Sequence, residues 1–165
     1  MSPPIDAPVY AAKVRMPFAV LGLSTNGTAL TGLTYLPLAE RAAAPADRVA
    51  ETAVRELERY LSDPGYRFRV ALAPAGTAFQ RRVWAALSAI PHGQSRTYGE
   101  VACAVGTAPR AVGQACGANR IALIIPCHRV VGAQGSLGGF MNAEDGDPIA
   151  IKRWLLAHEG YRFGA

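Results

Sequence analysis

The 165-residue chain has only three cysteines, Cys103, Cys116 and Cys127. An odd and sparse set argues against a disulfide scaffold, and it favours free thiols in a reducing compartment. No two of the three form the close CxxC spacing of a zinc site. We therefore predict no structural metal, and nothing in the sequence calls for a cofactor.

Long apolar runs are also missing. Half of the residues are hydrophobic, yet none of the runs reaches the roughly 20 residues that a membrane-spanning helix needs. The N-terminal residues lack a basic segment followed by an apolar one, so no secretory signal is expected. These absences predict a globular protein without membrane contact, located in the cytoplasm, or in the nucleus if the source is a eukaryote.

Acidic residues are scarce in the centre of the chain. Residues 75–140 contain six arginines and a single acid, Glu100. This segment therefore carries the whole formal net charge of +5. A solvated basic face and a nucleic-acid-binding surface are both compatible with that distribution.

The first part of the chain has the pattern of a small α/β domain, for which we predict the bounds 1–74. Residues 8–36 predict three strands, and Asn26-Gly27 is a strong signal for a hairpin turn. Residues 46–62 have apolar side chains at helical spacing, ended by Asp63-Pro64-Gly65. Residues 66–72 predict a further strand.

The second part, residues 75–165, has a mainly helical pattern. Thr77 is placed to cap one helix, a second helix is predicted over Tyr98–Val105, and Thr107 is placed to cap a third that ends near Gly117. The second and third helices have the outline of a helix-turn-helix.

Two further elements are predicted near the end of the chain. The apolar run at 121–125 predicts a buried strand. A last helix is expected with Asp147 as its N-cap and Gly160 as its stop signal.

Cys127 follows the apolar run, where the chain must turn. A thiol is a strong nucleophile only as thiolate, so it needs a base or a positive field nearby. His128 is adjacent, and Glu159 could orient it, as in the Cys–His–acid relays of thiol hydrolases. On this basis we expect a lower pKa for Cys127 than for Cys103 or Cys116, which fit the ordinary role of small buried residues.

Three segments carry a family resemblance: GTAFQRRVWAALSAIPHGQSRTYGEVA, RAVGQACGANRIALIIPCHRVVGAQGSLGGF and KRWLLAHEG. The chain resembles the O6-alkylguanine-DNA alkyltransferases, or methylated-DNA–protein-cysteine methyltransferases, over residues 76–160. The most specific motifs are IPCHRV, with Asn119 before it, and LLAHEG. The resemblance implies an α+β fold with a small ribonuclease-H-like α/β domain at 1–74 and a mainly helical, winged helix-turn-helix-like alkyltransferase domain at 75–165.

The resemblance also implies the reaction and its residues. Cys127 would accept the alkyl group in a single irreversible transfer from O6-alkylguanine in double-stranded DNA, with O4-alkylthymine as a second substrate. His128 would deprotonate the thiol through a water, Glu159 would orient His128, and Asn119 would brace the turn. The protein is expected to act as a monomer without a cofactor.

Further residues of the family pattern concern DNA and the base pocket. Arg110 matches the finger that enters the base stack, and Tyr98 matches the tyrosine that contacts a phosphate and the guanine. The other DNA-contacting positions implied are Ala111, Gln114 and Arg120, and the pocket walls implied are Val130, Phe140 and Met141. Arg129 is expected to be structural.

The chain departs from the family pattern at two places near the pocket. Phe140 replaces the usual tyrosine. The loop Met141–Pro148, which matches the loop that closes over the guanine, is longer and more acidic than usual.

Three alternatives remain at this level. A non-catalytic alkyltransferase-like protein would bind lesions without reacting, but such relatives typically replace the cysteine. A thiol hydrolase using Cys127, His128 and Glu159 would turn over repeatedly and would leave the arginine segment unexplained. A helix-turn-helix regulator would leave the apolar segment before Cys127 without a purpose.

Overall fold

A computed structural model describes residues 9–141 and 147–163. Within these residues the chain is mixed α and β, as the sequence predicts. The strands are β1 (Ala12–Arg15), β2 (Val20–Thr25), β3 (Leu30–Leu36), β4 (Arg96–Thr97) and β5 (Val130–Val131). The α-helices are α1 (Arg48–Ser62), α2 (Ala78–Ser88), α3 (Tyr98–Val105), α4 (Pro109–Gly117) and α5 (Asp147–His158).

The first three strands form an antiparallel sheet in the order β1-β2-β3. The predicted hairpin between β2 and β3 is confirmed: Gly27 has φ of 91°, and Asn26 Oδ1 accepts the backbone N–H groups of Thr28 and Ala29. A positive φ is a conformation that glycine adopts at little cost, which explains the residue at this turn. Helix α1 packs against all three strands of this sheet.

Helix α1 confirms the helix predicted at 46–62. It begins one residue after Asp47, whose side chain accepts the N–H of Ala50 as an N-cap. The buried residues of α1 recur at helical spacing: Ala50, Ala53, Glu56, Leu57 and Tyr60.

The strand predicted at 66–72 is wrong. This segment makes one isolated parallel bridge, between Leu30 and Leu72. The backbone N–H groups of Arg69 and Val70 instead donate to the buried carboxylate of Glu56, at 2.9 and 3.2 Å. A side chain therefore replaces the neighbouring strand as hydrogen-bond acceptor.

Three helices pack together in the second part of the chain. Thr77 and Gln80 form a reciprocal capping box at the start of α2, as the position of Thr77 predicts. Trp84 of α2 donates its indole N–H to the carbonyl of Ala115 in α4, at 2.8 Å. Gly106, with φ of 80°, ends α3 in the left-handed conformation.

The predicted cap of α4 is wrong by one residue. Ala108, not Thr107, is the N-cap, and it makes no side-chain bond there. Pro109 occupies the first helical position, where its missing N–H costs nothing and its fixed φ suits the helix. The helix therefore begins without a side-chain cap.

The apolar run at 121–125 is not the predicted strand. It forms a compact buried turn in which Leu123 has φ of 98° and the N–H of Ile125 donates to the carbonyl of Ile121. Asn119 supplies two further hydrogen bonds: its Nδ2 donates to the carbonyl of Ile125, and its Oδ1 accepts the N–H of Ile121, both at 2.9 Å. An apolar run can thus be buried without a strand partner when a side chain satisfies its backbone.

Helix α5 has Asp147 as its first residue and not as its N-cap. Gly160, with φ of 85°, follows the helix as predicted. Most of the predicted closing loop, residues 142–146, lies outside the described residues. No helix of the described part is long and apolar enough to cross a membrane.

Replacement of Glu56 by alanine should destabilise the fold. The change leaves two backbone N–H groups of the 66–72 segment without an acceptor, and each such group costs roughly 1–3 kcal/mol. We expect Glu56→Ala to lower the free energy of unfolding by about 2–4 kcal/mol in urea titrations. Glu58→Ala is the matched control, since Glu58 is exposed on the same helix, and it should change stability by less than about 0.5 kcal/mol. Equal effects of the two substitutions would contradict the assignment.

Candidate active site

Cys127 lies at the end of the buried 119–126 turn. It is the first residue of a short 3-10 turn, Cys127–Arg129, and its side chain is almost fully buried. Its backbone N–H donates to the carbonyl of Ile125 at 2.8 Å. Since Asn119 binds that same carbonyl, the asparagine braces the segment that carries the cysteine.

The thiol of Cys127 borders a cavity of about 590 Å³. This is the size range of small-molecule sites. Residues of α3, α4 and the glycine-rich segment after β5 line it, among them Tyr98, Arg110, Gln114, Cys116, Gly138, Gly139, Phe140 and Met141. Cys127 is therefore placed beside a space that can hold a planar base.

The predicted site residues divide between the cavity and its surroundings. Tyr98, Arg110, Gln114, Phe140 and Met141 line the cavity with Cys127. Val130 is fully buried and does not line it, and neither do Ala111 or the exposed Arg120.

His128 and Glu159 form a buried pair behind the cysteine. Nε2 of His128 lies 2.8 Å from Oε2 of Glu159. Burial lowers the pKa of His128 and outweighs the opposing effect of Glu159, so the imidazole is neutral at neutral pH. Because a carboxylate accepts, Nε2 carries the hydrogen and Nδ1 has a free lone pair. Nδ1 is buried and has no hydrogen-bond partner among the described residues.

Arg129 completes the environment of Glu159. Its Nε donates to Oε1 at 2.8 Å and its NH2 group donates to Oε2 at 3.1 Å, while its NH1 group binds the carbonyl of Ile90. Burial alone would raise the pKa of Glu159, but the hydrogen bonds from His128 and Arg129 and the positive charge of Arg129 hold it well below its ordinary range. Glu159 is thus a carboxylate at neutral pH.

The pKa of Cys127 lies below that of Cys116, as expected, but above the ordinary value of a thiol. Burial raises the pKa of its thiol to about 11, and neither the hydrogen bond from Asn119 nor the positive charge of Lys152 outweighs that effect. Burial also raises the pKa of Cys116, to about 12. A neighbouring histidine therefore does not produce a resting thiolate when the imidazole is itself neutral and the sulfur is buried away from solvent.

Lys152 is a buried cation that the sequence analysis does not identify. Its Nζ donates to three backbone carbonyls, those of Val130, Leu137 and Gly139. Burial lowers its pKa to about 8. The signal available in the sequence is its position three residues before Leu155, on the apolar side of the last helix.

Tyr98 packs against the same glycine-rich segment. Its hydroxyl donates to the carbonyl of Gly139 at 3.3 Å, and burial raises the pKa of Tyr98 to about 12. A Cβ at Gly138 would lie 2.6 Å from the ring of Tyr98, and φ of Gly138 is 71°. Glycine is therefore required where this segment crosses the tyrosine.

Tyr60 is the second residue that sequence reasoning misses. It lies on α1, in the first part of the chain, and its hydroxyl donates to Oε2 of Glu159 at 2.8 Å. Nothing in the local sequence signals a contact between residues 99 positions apart.

The positively charged side chains predicted to meet DNA lie outside this buried network. Arg110 is the second residue of α4, exposed at the rim of the cavity. Within residues 9–141 and 147–163, no group of three or more His, Cys, Asp or Glu side chains could hold a metal ion.

Comparison with known proteins agrees with this arrangement. Residues 78–161 match the family described as 6-O-methylguanine DNA methyltransferase, DNA binding domain. The chain is 40% identical to a methylated-DNA–protein-cysteine methyltransferase of Methanosarcina barkeri, over 92% of this chain and 97% of that protein. It is also 40% identical to the protein of that name from Mycobacterium tuberculosis strain H37Rv, over 93% of this chain and 94% of that protein.

Solved structures show the same fold. The structure of Mycobacterium tuberculosis OGT in complex with DNA superposes with a TM-score of 0.76 at 41% identity, covering 89% of this chain and 90% of that one. The O6-methylguanine DNA methyltransferase of Methanococcus jannaschii gives a TM-score of 0.66 at 27% identity, covering 93% of this chain and 95% of that one. The chain therefore belongs to the methylated-DNA–protein-cysteine methyltransferase family.

Proposed function

We propose that this protein repairs DNA by direct reversal, moving the alkyl group of O6-alkylguanine onto Cys127. The observation that carries the proposal is a buried thiol on a base-sized cavity, next to a neutral histidine that is oriented by a permanent carboxylate. O4-alkylthymine is a second substrate of the same chemistry. The name of the family supports the reaction class.

The transfer is one displacement at a saturated carbon. The Cys127 sulfur attacks the alkyl carbon, the carbon–O6 bond breaks, and guanine leaves with the electron pair on O6. The thiol proton passes through a bridging water to Nδ1 of His128. The departing guanine takes up one proton from solvent on its ring nitrogen and His128 returns one proton to solvent, so in net one proton moves from the thiol to the guanine. Because the pKa of the resting thiol is about 11, the proton leaves the sulfur during the reaction with bound substrate and not before it.

The product determines the number of turnovers. A thioether at Cys127 has no leaving group that a neighbouring side chain could displace. The protein is therefore used once, which separates it from a thiol hydrolase. The presence of Cys127 separates it from non-catalytic alkyltransferase-like proteins.

DNA recognition is proposed for the face formed by α3 and α4, as a winged helix-turn-helix. O6 of guanine is inaccessible in a duplex, so the base has to leave the stack. Arg110 stands at the rim of the cavity and exposed at the start of α4, where it can fill the gap left by the base. Ala111, Gln114 and Arg120 are proposed contacts around it.

The finer architecture is proposed on the same basis. We assign residues 1–74 to a ribonuclease-H-like α/β domain and 75–165 to the alkyltransferase domain. The match of residues 78–161 to a DNA-binding domain supports that division. The monomeric state and the cytoplasmic location stay predictions.

Substitution of Cys127 by serine should abolish alkyl transfer and leave DNA binding intact. The phosphate contacts are expected from the arginine segment and not from the sulfur. Intact mass after incubation with O6-methylguanine DNA should rise by one methyl group in the unaltered protein and in Cys103→Ser, but not in Cys127→Ser. Methylation of the Cys127→Ser variant at a comparable rate would refute the mechanism.

Substitution of Arg110 by alanine should slow repair of duplex DNA much more than reaction with free O6-benzylguanine, because the free base needs no flipping. We expect about a tenfold or greater loss on the duplex, since holding an unstacked step open costs a few kcal/mol, and less than about a twofold loss on the free base. Arg55→Ala, an exposed change outside the basic segment, should affect neither. Equal losses on both substrates would assign Arg110 to the fold or the cavity.

Thiol labelling should follow the raised pKa of Cys127. A thiol is neutral below its pKa, so the labelling rate of Cys127 should rise about tenfold for each pH unit between pH 6.5 and 9.5, with no plateau. Iodoacetamide labelling with peptide mapping gives this rate separately for each cysteine. A plateau for Cys127 below pH 8 would show a preformed thiolate and contradict the effect of burial.

A further inference from the structure

We propose that Tyr60 is a positioning residue for alkyl transfer, and that its hydroxyl holds the oxygen of Glu159 that orients His128. This inference rests on the proposed function of Cys127. It gives the first part of the chain, to which the sequence assigns no chemistry, a defined role in the reaction.

Tyr60 binds the same oxygen of the Glu159 carboxylate that contacts His128. Oε2 of Glu159 accepts the Tyr60 hydroxyl at 2.8 Å and faces Nε2 of His128 at 2.8 Å. The tyrosine is 1% exposed, so water does not compete for this bond. Any shift of Oε2 therefore changes both contacts together.

Arg129 does not make this hydrogen bond redundant. Arg129 donates one hydrogen bond to Oε1 and one to Oε2 of the carboxylate. Arg129 also carries a positive charge, which lowers the basicity of Glu159. The Tyr60 hydroxyl is neutral, because burial and the negative charge of Glu159 raise the pKa of Tyr60 far above its ordinary value. Tyr60 is therefore a donor at every working pH.

Tyr60 holds the end of α5 at a second point. Its backbone carbonyl lies 2.9 Å from Nε2 of His158, the residue before Glu159. Its ring packs against His158, with centroids 5.0 Å apart, and His158 stacks on Trp154. One residue of α1 thus fixes two successive residues at the end of α5, one through its backbone and one through its side chain.

Tyr60→Phe isolates the hydroxyl, since the ring and its packing stay. The loss of one buried hydrogen bond is worth roughly a factor of 3–10, and we expect the rate with free O6-benzylguanine to fall by about that factor. The carboxylate, with one donor fewer, becomes more basic, so the pKa of His128 rises. The acidic limb of the pH–rate profile should therefore move to higher pH. Affinity for DNA should not change.

A matched control is available on the same side of the molecule. Tyr66 is half-buried, packs edge-on against Phe68, and makes no hydroxyl bond within the described residues. Tyr66→Phe should leave the rate and the pH profile as they are. All rates are taken well below the melting temperature of each variant, so that a loss of stability alone does not enter.

A double-mutant cycle tests whether Tyr60 acts through Glu159. In a Glu159→Gln background the further change Tyr60→Phe should have little additional effect, because the oriented carboxylate is already gone. Full additivity, or an unchanged pH profile in a folded and active Tyr60→Phe protein, would overturn the inference. Failure of the unaltered protein to accept an alkyl group would instead overturn the proposed function, so the two failures are distinguishable.

Discussion

The carboxylate of Glu159 is the group on which the rest of the site depends. A buried charge is tolerated only when hydrogen bonds and opposite charge compensate the lost hydration. Four donors from three residues converge on it: the hydroxyl of Tyr60, Nε2 of His128, and two nitrogens of Arg129. The donors come from α1 and from the cysteine turn, and Glu159 itself directly follows α5. Satisfying one charge thereby fixes the relative positions of three distant segments.

Burial of Cys127 also has a protective consequence. A thiol with a pKa of about 11 is almost entirely protonated at neutral pH, and it reacts slowly with oxidants and alkylating agents from solution. A protein used once per lesion loses its function with every side reaction of its cysteine. In the proposed mechanism, activation depends on a bound base, with neutral His128 as the proton acceptor, and this confines the reactivity of Cys127 to the moment of repair. A permanently ionised thiol would not provide that selectivity.

Local sequence signals predicted turns and helix caps correctly. They failed for segments whose backbone hydrogen bonds are made by side chains distant in the sequence. The Asn26-Gly27 turn and the Thr77 helix cap need only neighbouring residues, and both predictions were confirmed. Segments 66–72 and 121–125 have strand-like composition, but Glu56 and Asn119 take up their backbone groups from elsewhere. The roles of Cys127, His128 and Glu159 came from motif resemblance, since composition alone left them open. Tyr60 could not be predicted because its partner is 99 positions away.

Helix α5 links the two sides of the cavity through opposite charges. Lys152 lies in the helix and Glu159 directly after it, seven positions on, about two helical turns and therefore on a similar face. The lysine binds the carbonyls of Val130, Leu137 and Gly139 at the glycine-rich wall, while the glutamate binds the His128 side. The separation between the wall and the cysteine turn is thus set by the rise of one helix. Lys152 and Glu159 are both buried. A shift of α5 that broke the hydrogen bonds of either residue would therefore leave a buried charge without a partner, which is costly.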